Sequence, residues 1–156
     1  MIIYSTGDLL KTDVEVIIHQ VNTQGVMGAG IALQIKNKWP EVYKEYKDYC
    51  NTVSNSKELL GVCLPSHTND DRFVANCFGE DKFWPAGVCH TDYAALEKSL
   101  CLLYIWMMVN HLKTCGCPYL LGCGLAGGDW NIVHQILKDI FENDDNITLN
   151  IVTYNG

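Results

Sequence analysis

The chain contains 156 residues, of which 48% are hydrophobic, so it can bury one core of single-domain size without help from a partner. Eleven basic residues against eighteen acidic ones give a formal charge of −7, and the basic residues form no cluster along the chain. This charge pattern disfavours non-specific binding to duplex nucleic acid, and we expect a single domain over residues 1–156.

The first half of the chain alternates strand-like and helix-like segments. Residues 14–21, VEVIIHQV, have the β-branched, apolar composition of a strand buried on both faces, and residues 1–4 can pair beside them. Residues 31–50 carry apolar side chains at helical spacing and contain Pro40, which predicts a helix interrupted or restarted at that residue. The segments LLGVCLPS and RFVANCFG, separated by the turn-forming HTNDD, are predicted to be two strands.

The second half continues the alternation. Residues 80–90, EDKFWPAGVCH, are predicted to be a loop, and Thr91 is the expected N-cap of the long helix that follows. The apolar run within that helix, residues 100–109, is too short to cross a bilayer, so we expect a buried helix segment. Residues 118–121 are predicted to be a brief strand, and Asp129 opens the helix WNIVHQILKDIFE before a last strand, ITLNIVTY.

The eight cysteines are modest in density for this length, and no charged, apolar leader precedes a cleavage site. We therefore expect reduced thiols and a cytoplasmic protein. Cys115 and Cys117 enclose a single residue and have no second matching pair, which is not the spacing of a zinc site. We expect neither a metal nor a cofactor.

Two glycine-rich loops follow predicted strands, NTQGVMGAG at residues 22–30 and GCGLAGG at residues 122–128. The alternation of elements predicts a layered α/β domain with a largely parallel sheet, whose cleft lies beyond the carboxyl ends of its strands. Glycines allow a phosphate to approach backbone N–H groups closely, although neither loop matches the dinucleotide fingerprint or a P-loop. A tight strand-to-helix turn explains the first loop equally well, but two such loops favour an anion site.

The segment GDLLKTDVEVIIHQVNTQGVMGAGIALQIKNKWPEVYKEY, followed by GCGLAGGDW after a later strand, resembles the macro domain over essentially the whole chain. The resemblance implies a three-layer α-β-α fold with a mixed, largely parallel central sheet. It also implies binding of ADP-ribose or an ADP-ribosylated macromolecule. The pattern is most similar to the branch that contains terminal ADP-ribose glycohydrolases, including antitoxin-type macro domains, and ADP-ribose-1''-phosphate phosphatases.

By this resemblance, Asp8 accepts a hydrogen bond from adenine, although a carboxylate capping the next turn is the alternative. Asn22 faces the distal ribose, with a turn-forming asparagine as the alternative, and residues 122–128 wrap the diphosphate. Cys123 and Leu125 are expected to anchor that loop in the core. The complete expected ligand-binding set is Asp8, Leu9, Asn22, Gly25, Met27, Gly28, Gly30, Ile31, Gly122, Cys123, Gly124, Leu125, Ala126, Gly127, Tyr154 and Asn155.

Hydrolysis of an ADP-ribosyl linkage needs a water or nucleophile at the anomeric carbon and an acid or base for the leaving group. One glycohydrolase sub-family carries an aspartate where this chain has Ala126, which leaves Asp129 as the nearby carboxylate. Antitoxin-type relatives use a lysine in the loop that corresponds to residues 80–90 of this chain. Lys82 is therefore a candidate for Schiff-base formation or charge stabilisation. His19 is a candidate acid or base for phosphate-monoester cleavage, with a satisfied core histidine as the alternative.

Three further side chains, Glu80, His90 and Asp92, can approach the same cleft, although Asp92 is equally explained as a favourable charge in a first helical turn. The leading interpretation is a hydrolase that removes ADP-ribose from a modified macromolecule. The alternatives are an ADP-ribose-1''-phosphate phosphatase and a non-catalytic reader, the second motivated by the missing aspartate at Ala126.

Overall fold

The computed structural model describes residues 1–155. Within this range the strands are β1 Ile2–Thr6, β2 Val16–Asn22, β3 Cys63–His67, β4 Phe73–Glu80, β5 Thr114–Pro118 and β6 Thr148–Thr153. The helices are α1 Gly30–Lys38, α2 Pro40–Cys50, α3 Tyr93–Val109 and α4 Trp130–Phe141, with short 3-10 turns at Leu9–Lys11 and Ser56–Leu59. Strands and helices alternate as the sequence predicts, and the second helix begins at Pro40.

The strands form one sheet in the order β1-β6-β5-β2-β4-β3. The edge strand β3 is antiparallel to β4, and the other neighbouring pairs are parallel. The prediction of a mixed, largely parallel sheet is therefore confirmed. Because β2 and β5 are parallel neighbours, the two glycine-rich loops that follow them leave the same edge of the sheet side by side.

Helices cover both faces of the sheet. Along β2, Val16 and Ile18 pack into the core formed with α3 and α4, whereas Ile17 packs into the core formed with α1 and α2. All three side chains are fully buried, which is why this strand is apolar at successive positions. The three-layer α-β-α arrangement is confirmed.

Aspartate side chains cap the starts of α3 and α4. Asp129 caps α4 by accepting from the Asn131 N–H at 2.9 Å, as predicted. The long helix α3 is capped by Asp92, which accepts from the Ala95 N–H at 3.0 Å, so the prediction of Thr91 as the cap is wrong. The hydroxyl of Thr91 instead donates to the carbonyl oxygen of Gly122 at 2.6 Å.

Two further local predictions are corrected. The strand predicted at residues 118–121 ends at Pro118, and the chain then turns through Leu120, which has a φ of 68°. The apolar run in α3 is buried on one side only, because the helix packs a single face on the sheet and leaves Ile105 57% and Val109 70% exposed. Of the helices in residues 1–155, none combines the length and apolar character needed to cross a bilayer.

Candidate functional site

A cavity of about 610 Å³ lies beyond the carboxyl ends of β2, β4 and β5, between the two glycine-rich loops. Its volume falls in the range of small-molecule sites. Half of the predicted ligand-binding residues form part of its wall: Asn22, Gly28, Gly30, Ile31, Gly122, Gly124, Leu125 and Ala126. The loops singled out in the sequence thus meet at one cavity.

The second loop is closed by its own backbone hydrogen bonds. The N–H of Gly127 donates to the Gly124 carbonyl oxygen, and the N–H of Gly128 donates to the Gly122 carbonyl oxygen, both at 3.0 Å. By contrast, the N–H groups of residues 124–126 donate to no acceptor within the described part of the chain. The loop therefore holds three consecutive donors available for a ligand in the cavity wall.

The first loop leads directly into α1. Ala29 is the N-cap of that helix and provides no side-chain hydrogen bond to it, and the N–H groups of residues 30–32 donate to no acceptor among residues 1–155. Gly30, Ile31 and Ala32 in that turn line the cavity. A helix N-terminus of this kind favours an anion through its N–H groups and its dipole.

The side chain of Asn22 fixes the shape of the first loop. Its Nδ2 donates to the Val26 carbonyl oxygen at 2.9 Å, and its Oδ1 accepts from the Gln24 N–H at 2.9 Å and from the Tyr46 hydroxyl at 2.8 Å. Asn22 is 7% exposed and lines the cavity. These hydrogen bonds match the alternative interpretation of Asn22 as a turn-forming residue. Contact of Asn22 with a ribose stays a prediction.

Tyr46 was not singled out in the sequence, where it is one of several tyrosines at helical spacing. It is fully buried in α2, and besides Asn22 Oδ1 its hydroxyl contacts the Asn22 carbonyl oxygen at 2.7 Å and the Val26 N–H at 3.1 Å. Its ring stacks on Phe78 with centroids 5.7 Å apart. One buried hydroxyl thus joins the start and the middle of the first loop to the helix layer.

We expect Tyr46→Phe to lower the free energy of unfolding by about 1–3 kcal/mol, because the Val26 N–H loses its acceptor while the apolar packing is retained. Urea unfolding monitored by circular dichroism measures this difference. Tyr43→Phe is the matched control, since Tyr43 is half-buried and its hydroxyl makes one long bond of 3.3 Å to the Gly25 carbonyl oxygen. Equal effects of the two variants contradict an anchoring role for Tyr46.

The remaining predicted ligand-binding residues do not line the cavity: Asp8, Leu9, Gly25, Met27, Cys123, Gly127, Tyr154 and Asn155. Asp8 accepts from the Leu10 N–H at 3.0 Å, which matches its alternative interpretation as a cap. Met27 is 1% exposed in the core beside Tyr46. Tyr154 is 61% exposed.

Cys123 and Leu125, the two residues expected to anchor the second loop in the core, differ in burial. Cys123 is partly buried and packs against the main core. Leu125 is 79% exposed and lines the cavity mouth, so the expectation that it anchors the loop in the core is wrong. The loop is closed by backbone hydrogen bonds, which leave the Leu125 side chain free to face outward.

The three catalytic candidates lie outside the cavity wall. His19 is fully buried inside the sheet, and its Nε2 lies 2.7 Å from Asn76 Oδ1, which matches the alternative of a core histidine. Burial lowers the pKa of His19 to about 4, despite the opposing effect of that hydrogen bond. Asp129 caps α4, and Lys82 is exposed with its Nζ 5.8 Å from the ring centroid of Trp84.

Several cavity residues were not in the predicted binding set, and they mostly flank the loops at strand ends or in turns: Gln20, Val21, Val26, Ala29, Ala32, Phe83, Ala86, Pro118, Tyr119, Leu120 and Leu121. Their position within or beside a predicted loop is the only signal that the sequence offers. Glu80, one of the three further side chains that can approach the predicted cleft, also lines the cavity at the end of β4. Together with Tyr119, it is one of two titratable side chains in the described cavity wall.

Glu80 lies between the two loops. It is the register partner of Asn22 across β2 and β4, and its backbone forms an antiparallel bridge with Thr91. Its Oε2 atom is buried and has no hydrogen-bond partner within the described residues. Burial raises the pKa of Glu80 to about 7, against the opposing charge of His90.

Comparison with known proteins gives matches over most of the chain. The Macro domain family model matches residues 18–137. A DNA ADP-ribosyl glycohydrolase of Thermus aquaticus is 44% identical over 142 residues, which cover 91% of this chain and 38% of that protein. An ADP-ribose 1''-phosphate phosphatase of Saccharomyces cerevisiae is 32% identical over 117 residues, which cover 72% of this chain and 60% of that protein.

Solved structures match the whole fold. The macrodomain of Mycobacterium tuberculosis DarG superposes with a TM-score of 0.82 at 28% identity, and the match covers 100% of this chain and 98% of that one. The chain spans about two fifths of the length of the curated glycohydrolases that it matches.

Proposed function

Because this chain belongs to the macro domain family, we propose that it binds ADP-ribose in the cavity between its glycine-rich loops and hydrolyses an ADP-ribosyl linkage on a modified macromolecule. The glycohydrolase and the phosphatase that this chain matches are named for different reactions, but both names refer to ADP-ribose or to its ADP-ribosyl group. The shared group supports ADP-ribose as the ligand.

One observation supports the proposal: two separate sets of backbone N–H groups that have no acceptor in the described part of the chain lie along the same cavity. One set is the first turn of α1, and the other is residues 124–126. A diphosphate has enough oxygens to accept from both sets at once, and neutral N–H dipoles bind it without a lysine or arginine. This arrangement lets a chain with a formal charge of −7 bind an anion locally.

We expect purified protein to bind ADP-ribose with a micromolar Kd, on the order of −8 kcal/mol, in a calorimetric titration. AMP lacks the distal half of the ligand, and NAD adds a nicotinamide at the anomeric carbon, so both should bind more weakly. Equal binding of all three compounds contradicts a site that recognises the distal ribose. No binding of ADP-ribose contradicts the proposal as a whole.

The reaction is tested with ADP-ribosylated DNA, ADP-ribosylated protein and ADP-ribose-1''-phosphate as separate substrates. Release of ADP-ribose from either macromolecule supports the glycohydrolase. Release of inorganic phosphate alone supports the phosphatase, and tight binding without any turnover supports a non-catalytic reader.

The cellular location belongs to the same proposal. All eight cysteines are free thiols in residues 1–155, and unpaired thiols persist in a reducing compartment. This supports the cytoplasm as the place where the protein acts, with ADP-ribosylated macromolecules as its partners.

A further inference from the structure

We propose that Glu80 is the catalytic acid of this cavity, and that its carboxyl group gives a proton to the leaving group when the bond to the anomeric carbon of ADP-ribose breaks. The assignment rests on the proposed function, because it names the proton donor of that hydrolysis. None of the three residues expected to catalyse the reaction from the sequence lies in the cavity wall.

The choice among the cavity residues follows from their chemistry. Of the residues that line the cavity within the described chain, only Glu80 and Tyr119 carry a side chain that can transfer a proton. Tyr119 is 44% exposed, and its ring packs edge-on against Trp130 with centroids 5.1 Å apart. Glu80 is half-buried, with its Oε2 atom fully buried, and it is the one carboxyl group in the described cavity wall.

The backbone holds Glu80 between the two ligand loops. Across the sheet it is paired with Asn22, the first residue of the first loop. Through its bridge it is tied to Thr91, whose hydroxyl donates to the carbonyl oxygen of Gly122 in the second loop at 2.6 Å. A ligand that spans both sets of N–H groups therefore passes over Glu80.

The polar atoms around Glu80 leave a place for a ligand. Among residues 1–155, its Oε2 is buried without a partner, and so is Oε1 of Gln20, which lines the same wall. Gln20 uses its Nε2 to donate to the Thr91 hydroxyl at 2.9 Å, so its oxygen remains available. Buried polar atoms without partners are costly. Both atoms are covered by protein, so a side-chain movement has to expose them before the hydroxyl groups of a sugar can satisfy them.

Burial, opposed by one nearby charge, keeps the carboxyl group of Glu80 close to half-protonated at neutral pH. Burial raises its pKa to about 7, and His90 on the following loop is the charge that opposes this shift. The Oδ1 atom of the adjacent Asp81 accepts hydrogen bonds from the side chains of Thr23, Gln24 and Ser56, the last at 3.1 Å. An acid whose pKa lies near the working pH is the most effective proton donor.

The reaction balances with water as the only co-reactant. Protonated Glu80 donates its proton to the leaving atom as the bond between that atom and the anomeric carbon breaks. A water oxygen forms the new bond to the anomeric carbon, and the proton that this water releases returns to the Glu80 carboxylate. The products are ADP-ribose and the unmodified macromolecule, and the carboxyl group is restored.

The test compares Glu80→Gln with wild type on the ADP-ribosylated substrate that wild type hydrolyses. We expect kcat to fall by about 100-fold or more, while the Kd for ADP-ribose changes by less than about threefold, because glutamine keeps the shape and loses the transferable proton. Glu45→Gln, exposed on α2, is the matched control and keeps wild-type kcat. For wild type, kcat/KM should fall as the pH rises through about 7, because kcat/KM reports the ionisation of the free protein, and this limb should be missing from any residual activity of Glu80→Gln.

The outcomes separate this assignment from the proposed function. A wild-type protein that binds ADP-ribose but turns over no substrate contradicts both. An active wild type together with a fully active Glu80→Gln contradicts the assignment alone. The assignment is also overturned if Lys82→Ala abolishes turnover while Glu80→Gln retains it. Circular dichroism shows whether each variant is folded, and the wild-type pH profile tests the acid without any substitution.

Discussion

Lowering the pH from 6.5 to 4 is expected to remove about 3 kcal/mol of the free energy of unfolding through His19 alone. In the unfolded chain the imidazole binds a proton below its ordinary pKa of 6.5, whereas in the folded protein it stays neutral down to a pKa of about 4. The unfolded state therefore binds more protons in this window. The contribution is fully present above pH 6.5 and is lost as the pH falls toward 4.

Hydrogen bonds around the ring explain why it remains neutral. Asn76 donates through Nδ2 to the Leu64 carbonyl oxygen at 3.0 Å and to Ser66 Oγ at 3.1 Å, so its Oδ1 is left as the acceptor for His19 Nε2. The hydrogen of the neutral ring is thus on Nε2. The other nitrogen, Nδ1, is buried without a partner in the described residues, so a second proton there has no acceptor.

His19→Gln is the control, because glutamine retains an N–H donor for Asn76 and does not titrate. Urea unfolding at several pH values should show wild type losing about 3 kcal/mol relative to this variant between pH 6.5 and 4. The comparison with the variant is required because Glu80, with a pKa raised to about 7, changes stability in the opposite direction. If the two proteins lose stability in parallel, the histidine is not the source of the acid sensitivity.

Replacing Gly128 with alanine is expected to weaken ADP-ribose binding by about tenfold or more and to lower the free energy of unfolding by about 1–3 kcal/mol. A Cβ atom at this position would lie 2.5 Å from the carbonyl oxygen of Gly122 and 3.3 Å from Cβ of Thr91. The Gly122 oxygen already accepts from the Gly128 N–H at 3.0 Å and from the Thr91 hydroxyl at 2.6 Å. The added methyl group therefore disrupts the hydrogen bonds to the Gly122 carbonyl oxygen that close the second loop.

Gly124→Ala provides the matched control. Apart from its two chain neighbours, no atom of the described residues lies within 4 Å of a Cβ atom built there, so the free energy of unfolding should not fall below that of wild type. Because Gly124 lines the cavity, any loss of ADP-ribose affinity in this variant reports contact with the ligand rather than damage to the loop. Wild-type unfolding and wild-type binding in Gly128→Ala would show that the loop adjusts freely and that its closure does not shape the site.

The elements that the sequence predicts correctly are those in which local composition and burial agree. The strand β2 is recognisable because both of its faces are buried, so every position from Val16 to Ile18 must be apolar. The start of α4 is recognisable because Asp129 stands directly before an apolar helical pattern. At the start of α3, two capping residues stand side by side, and the contact of Thr91 with Gly122 leaves the cap to Asp92.

By itself, the sequence determined the layered α/β class, both glycine-rich loops and their position after strands, because these depend on residues close together in the chain. Only the tertiary structure decided that β2 and β5 are neighbours, which brings the loops to one cavity. It also decided that His19 is buried, that Lys82 lies outside the cavity wall and that Glu80 lies within it. Burial and pKa shifts arise from contacts between residues distant in the chain, and no local pattern of letters specifies them.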